Sequence, residues 1–200
     1  MFGISFVHWL VVVSAVISIS GSVSYIKDTL KGKTKPNRIS WSLWAFASLV
    51  GAFAAFSAQA DLWATSRIFI AGFIPLIVFI VSFVNKNSYW KLTLFDSLCG
   101  VCSIIALIIW LVIDSPALAI LFAALGDGLA TLPTIVKAWK YPETESGYLF
   151  IASLISVLLV LPSIPKWDIV NSAFQVYLLI ANVALIFSIY RKRLGFVRVS

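Results

Sequence analysis

The chain has 200 residues, 61% hydrophobic and 12% charged, with a mean hydropathy of +1.01 and a formal net charge of +7. Soluble domains carry roughly 25% charged residues, so this composition excludes a water-soluble globule and leaves no room for a soluble domain beside the apolar segments. A span takes about 20 apolar residues, so seven spans with short connections fit the length, and 15 Phe with 8 Trp suit a surface that meets lipid and headgroups.

Charge and turn signals divide the apolar runs into seven predicted helices. The first covers 6–25 and ends at a basic loop. Residues 1–25 have the length of a signal peptide, but they lack a basic n-region and their apolar run exceeds an ordinary h-region. They read as a retained helix that exports a short N-terminus. The second helix covers 39–60 up to Asp61, and the third 67–84, closed by Asn85-Lys86-Asn87. The fourth, 94–113, stops before Asp114-Ser115-Pro116 and carries Cys99 and Cys102, two small residues read as sharing one helix face. The fifth covers 117–139, the sixth 147–161 and the seventh 169–190.

Placing the charges on these spans sets the topology. Lys27, Lys31, Lys33, Lys35, Arg38, Lys86, Lys91, Lys137, Lys140, Arg191, Lys192, Arg193 and Arg198 fall on one side, thirteen of the 15 basic residues. Arg67 and Lys166 fall on the other, with Asp61, Asp114 and Asp168. Cytoplasmic loops hold the excess of Lys and Arg, so the expectation is a multi-pass protein with its N-terminus outside and its C-terminus cytoplasmic. The basic excess is then a topological signal, and no nucleic-acid partner is expected.

Shifting the chain by 106 residues pairs Lys31 with Lys137, Pro36 with Pro142, Ser40 with Ser146, Leu43 with Leu149, Trp44 with Phe150 and Ser66 with Ser172. Repeats of this kind are a fold-level signal. The predicted organisation is an all-α integral membrane protein, two parallel three-helix repeats joined by a linker helix. The first repeat is 1–84, the linker region 85–116, the second repeat 117–190 and a basic cytoplasmic tail 191–200. Repeats related by an axis along the membrane normal occur in transporters that bind solute near the midplane.

The stretch 25–44, a helix end with a basic turn followed by Ser40-Trp41-Ser42-Leu43-Trp44, resembles the first loop of PQ-loop and SWEET-like transporters. The second copy, 132–146, is similar, with Leu132-Pro133 where that family has its Pro-Gln pair; position 134 is Thr, and Ile26-Lys27 occupies the corresponding place in the first copy. The likeness covers about 1–84 and 117–190 and implies seven helices, an outside N-terminus and a linker helix. The family includes sugar uniporters, proton-coupled amino-acid exporters and cargo receptors, so it names no substrate. Trp41-Ser42-Leu43-Trp44 also looks like the Trp-x-x-Trp of related vitamin-precursor carriers, against which stands an interfacial aromatic belt.

Asp127 is the most informative residue. It stands mid-helix between Gly126 and Gly128, where an ionisable group costs roughly 2.5–3.5 kcal/mol on insertion scales. It is therefore expected to face the bundle interior or a watery cavity, carrying a proton or bonding a solute; the alternative is a protonated Asp bonded to a neighbouring helix. The flanking glycines permit close approach or local unwinding. Pro133 and Pro75 each remove a helical hydrogen bond, giving hinges or simply shaped packing. Gln175 and Asn182 share a face of the last helix, with Asn171 nearer its start. The Asn of sugar carriers in the resembled family suggests solute contact for Asn182, and interhelical bonding is the alternative. The shifted partner of Asn182 is Leu76. Ser14, Ser18, Ser20, Gly21, Ser22 and Ser24, with Ala47, Ser48, Gly51, Ala52, Ala55 and Gln59, read as close helix packing. His8 reads as interfacial.

Nothing resembles a nucleophile triad, a phosphate-cradling loop or a metal cluster, so neither enzyme, cofactor nor metal site is expected. The expected function is a transmembrane carrier of a small polar solute (sugar, amino acid or vitamin precursor), alternating access between the two halves. Asp127, Asn182, Gln175, Trp41 and Trp44 would line the path, with a proton link through Asp127. The alternative is a non-transporting receptor or interaction protein using the basic loop from Lys27 to Arg38. Expected partners are the lipid bilayer and the solute; homo-oligomerisation is open.

Overall fold

The computed structural model describes residues 6–57, 62–164 and 166–193. Among them are seven α-helices: α1 (Phe6–Leu30), α2 (Arg38–Ser57), α3 (Leu62–Val81), α4 (Leu94–Val112), α5 (Pro116–Lys140), α6 (Gly147–Val160) and α7 (Ile169–Tyr190). Short 3₁₀ turns occupy Lys86–Ser88, Pro142–Thr144 and Leu161–Ser163, and the described residues contain no strand. Gln59, Asp61 and Arg198 lie outside the described residues, as do the side chains of His8, Ala55 and Arg67.

Local chemistry sets the helix ends. The helix α1 runs past 25 to Leu30 because Thr29 bonds the Tyr25 carbonyl at 2.9 Å and keeps the polar last turn wound. It stops at Gly32, whose φ of 73° suits a residue without Cβ. There, Gly32 N–H donates to the Thr29 carbonyl and Lys33 N–H to that of Asp28. Asn37 caps α2 by accepting from Ile39 N–H at 3.1 Å. Thr93 and Asp96 form a reciprocal capping box at α4, Pro116 opens α5 where its missing N–H costs nothing, and Asp168 caps α7 through Asn171 N–H at 2.9 Å.

The burial pattern is that of a bundle in lipid. On α4 the inward face is Asp96, Cys99, Gly100, Ser103, Ala106 and Leu107, small or polar for the most part. Its outward face is Leu98, Val101, Ile104, Ile105, Ile108 and Leu111. Large apolar groups outside and small ones inside invert the arrangement of a water-soluble helix. The two cysteines do not share an environment: Cys99 is buried and Cys102 exposed. Among the described residues, four helical segments are long and apolar enough to cross a bilayer, Trp9–Leu30, Leu94–Val112, Ile120–Lys140 and Asn171–Tyr190; Phe69–Val81 and Gly147–Val160 are shorter apolar segments. The 14 residues of α6 rise about 21 Å, short of the roughly 30 Å hydrocarbon layer. The described residues thus form a membrane-embedded helical bundle in which four helices meet the full length-and-hydropathy requirement, against the seven expected.

The principal contacts place α3 between α1 and α2, and α7 between α5 and α6. Between these triplets α1 packs on α6 and α2 on α5, while α4 lies against α5 and α2. Gly21 sets the α1–α6 approach: a Cβ there would come within 2.7 Å of Ala152 Cβ and 3.2 Å of the Leu149 backbone. Ser18 donates across the same seam to Ser156 at 3.0 Å. Gly21→Ala is expected to overpack this seam and lower stability by about 1–3 kcal/mol, read by equilibrium unfolding in mixed micelles. Unchanged stability would mean that the helices do not approach so closely.

Candidate functional site

One end of the bundle collects the basic segments. Arg38 at the start of α2 donates to the Ser82 carbonyl at 2.8 Å, just past the end of α3, and lies 3.8 Å from the Phe83 ring centroid. Ser88 donates to the Thr29 carbonyl and Asn85 to that of Leu30. Lys35 N–H donates to the Thr144 carbonyl at 2.9 Å, and the Trp90 and Tyr141 rings meet at 5.6 Å. These contacts join the last turn of α1, the first of α2 and α6, and the last of α3 and α5.

Two layers seal this end. The outer layer is an ion pair between Lys137 of α5 and Glu145 of the loop before α6, both buried. Tyr25 of α1 donates to the second oxygen of Glu145 at 2.7 Å, and Lys137 also donates to the Lys35 carbonyl. Thr134 of α5 donates to Ser40 of α2 at 2.9 Å. Such a pair is stable when dry only because each ion has further bonds. Lys137 therefore has a structural role beyond the topological one expected of it. The inner layer is aromatic: Tyr25 lies 4.9 Å from Trp41 and 6.4 Å from Phe150, ring centroid to centroid.

Behind these layers lies a cavity of about 330 Å³, lined from α1, α2, α3, α5, α6 and α7. It runs from Trp41 near the start of α2 to Val160, the last residue of α6. All five residues expected on the path, Asp127, Asn182, Gln175, Trp41 and Trp44, line it. Trp41 is buried in an apolar cluster with Tyr25 and Val78, so the two indoles are inside the bundle and do not form an outer belt. The indole N–H of Trp41 has no acceptor among the described residues. Asn171 is exposed and bonded to Asp168.

Asp127 is held by a network of four side chains. Tyr177 of α7 donates to its Oδ2 at 2.5 Å. Thr131, one turn along α5, donates to the Asp127 carbonyl at 2.8 Å and lies 3.0 Å from the Tyr177 hydroxyl. Trp44 Nε1 reaches Thr131 Oγ1 from α2 at 3.3 Å. Neither Tyr177 nor Thr131 was singled out as functional from sequence; Thr131 could have been found, because i+4 on a helix shares the face of Asp127. Asn182 donates to the Leu178 carbonyl one turn back, at 2.8 Å.

The flanking glycines lie against two other helices. Helix α5 is continuous through them, so there is no local unwinding. Gly126 faces Leu107 and accepts from Ser103 of α4 at 2.6 Å. A Cβ on Gly128 would meet the Tyr177 ring at 3.4 Å, an ordinary contact. The prolines also sit inside uninterrupted helices: Pro133 is buried, while Pro75 lines the cavity. Pro75 cannot return an N–H to the carbonyl of Ala71, another lining residue. Ser14, Ser18 and Ser22, expected only to pack, line the cavity at four-residue spacing. Among the described residues no His/Cys/Asp/Glu group is arranged to hold a metal.

Comparison with protein-family models, curated proteins and solved structures finds no match to this chain.

Tyr177→Phe strips Asp127 Oδ2 of its donor and is expected to cost about 1–3 kcal/mol. Thr131→Val is expected to cost a similar amount, and the double variant less than the sum, because the two share one network. Unfolding titrations in detergent measure the cycle; strict additivity would show that the groups act independently.

Proposed function

We propose that the chain is a seven-span membrane carrier for a small polar solute, built from two parallel three-helix halves, 1–84 and 117–190, with α4 as linker. The observation that carries this reading is the cavity between the triplets, closed over at its basic end and lined by an acidic residue. Cavities of this kind, mostly apolar with a few convergent polar groups, are the usual form of small-molecule sites, which span roughly 300–1,000 Å³.

The packing supports the repeat. Exchanging α1, α2 and α3 for α5, α6 and α7 turns the order α1–α3–α2 into α5–α7–α6 and turns the α1–α6 seam into the α2–α5 seam. A two-fold relation along the membrane normal has that property. The gathered basic residues support a cytoplasmic assignment for that end and an outside N-terminus. The short α6 is accommodated if the bilayer thins locally, at a modest cost per ångström. With the loop likeness, these features favour membership of the PQ-loop and SWEET-like group.

The Asp127 network supports a proton link. With the carboxylate ionised, Tyr177 donates to it, Thr131 to the Asp127 carbonyl and Trp44 to Thr131. With Asp127 protonated, its proton turns to the Tyr177 oxygen, and the phenol proton turns to Thr131. Each donor stays bonded in both states, so the bundle tolerates either without an orphaned buried donor. Access from the basic side requires parting Tyr25 from Glu145 and Lys137 from the Lys35 carbonyl, bonds that join the two halves. The closed face is thus a breakable polar layer over an aromatic one.

Asp127→Asn removes the acid while keeping a group of the same shape. Proteoliposome uptake of a solute found by thermal-shift screening of sugars, amino acids and vitamin precursors is expected to stop or to lose its pH response. Uptake with unchanged rate and pH response would contradict the role of Asp127.

A further inference from the structure

The charge in the cavity is one-sided. Among the described lining residues Asp127 is the sole carboxyl, and no Lys, Arg or His is present. Its Oδ2 accepts from Tyr177, while no protein donor is found for Oδ1 among the described residues. The hydroxyl protons of several lining residues are already committed to protein acceptors: Ser14 to Val11, Ser22 to Ser18, Ser18 to Ser156 and Thr131 to Asp127. Those serines therefore have no hydroxyl proton left to offer a solute, and Thr131 already accepts from Trp44.

Aromatic side chains stand beside the same residue. Tyr177 donates to its carboxyl, Phe174 lies 5.7 Å from the Tyr177 ring, and Trp44 donates to Thr131, which bonds the Asp127 main-chain carbonyl. Trp41 packs edge-on against Trp44 at 5.1 Å. A carboxylate without a protein counter-cation is costly in a dry site, and aromatic faces attract cations, quaternary ammonium groups above all. A neutral polyol would call on neither feature.

We propose that the solute is a small organic monocation of alkylammonium type, with Asp127 as counter-ion and the Trp44 and Tyr177 rings against the apolar substituents of its cationic head. This inference rests on reading the cavity as a solute site.

The test uses the full chain in detergent, with thermal shift and calorimetric titration of ammonium, tetramethylammonium, tetraethylammonium and choline. The uncharged control is 3,3-dimethylbutan-1-ol, which matches choline with carbon in place of nitrogen. At least one monocation is expected to stabilise the protein, and the control to bind at least about tenfold more weakly. Asp127→Asn should abolish the response and Asp127→Glu, which keeps the charge, should retain it; circular dichroism verifies that both fold. Equal binding of the control, an undiminished response in Asp127→Asn, or no response to any monocation in the series would overturn the inference. Proteoliposome flux separates the two readings. Flux of neutral solutes without cation binding leaves the carrier standing and removes the cation, whereas cation binding without flux upholds the cation site and removes the carrier.

Discussion

Lipid offers no hydrogen bonds, so a polar group inside this bundle is costly unless it bonds within the protein or lines the cavity. Asp127 is the severest case, a carboxyl well inside α5. Three helices meet around it: Tyr177 of α7 donates to the carboxyl, Thr131 of α5 to the Asp127 main-chain carbonyl, and Trp44 of α2 to Thr131. Beside it, Gly126 lets α4 close in, since a Cβ there would meet Leu107 at 3.3 Å. The helices cannot slide past one another here without orphaning a buried group, and what remains between them is the cavity.

The same constraint explains the contrast between the two ends of that cavity. At the basic end the halves are joined by buried polar bonds, Tyr25 to Glu145, Lys137 to the Lys35 carbonyl and Lys35 to Thr144. Removing either ion would leave the other uncompensated, a loss of about 3–5 kcal/mol. Along the rest of α1 and α6 the bonds across the seam are serine contacts such as Ser18 to Ser156. Strong contacts are thus gathered at one end, and weaker ones lie along the seam.

Much of this was legible in the sequence. Hydropathy located all seven helices, α7 to the residue, because lipid-facing apolar runs and charged breaks are strong local signals. Where it misjudged an end, as at Leu30, the polar residues of the last turn stayed helical through a side-chain bond that hydropathy does not see. Asp127, Gln175 and Asn182 were recognisable as inward-facing because polar groups are expensive elsewhere. Trp41 and Trp44 were ambiguous, since a helix start suits both an interfacial belt and a cavity wall; their burial depends on how α2 meets α1 and α5. Tyr177 carries no sequence mark, because its distance from Asp127 depends on how α5 and α7 cross. Lys137 was counted only among the basic residues that orient the chain, and composition cannot tell which of those is buried against Glu145. The site is also asymmetric: the 106-residue shift sets Gly21 against Asp127 and Ala71 against Tyr177, so the acid belongs to one half alone.

The central claim, that the cavity is a water-accessible solute path closed on its basic side, is tested most directly by thiol labelling. With Cys99 and Cys102 replaced by Ala, single cysteines at the lining positions Ser18, Ser153 and Ala181 would be exposed to a membrane-impermeant reagent from each side of sealed vesicles. The account predicts reaction from the side opposite the basic end and, when Glu145→Gln loosens the closed layer, new reaction from the basic side. Cysteines at all three positions that react from neither side in either background would contradict it, leaving a packed bundle with no path.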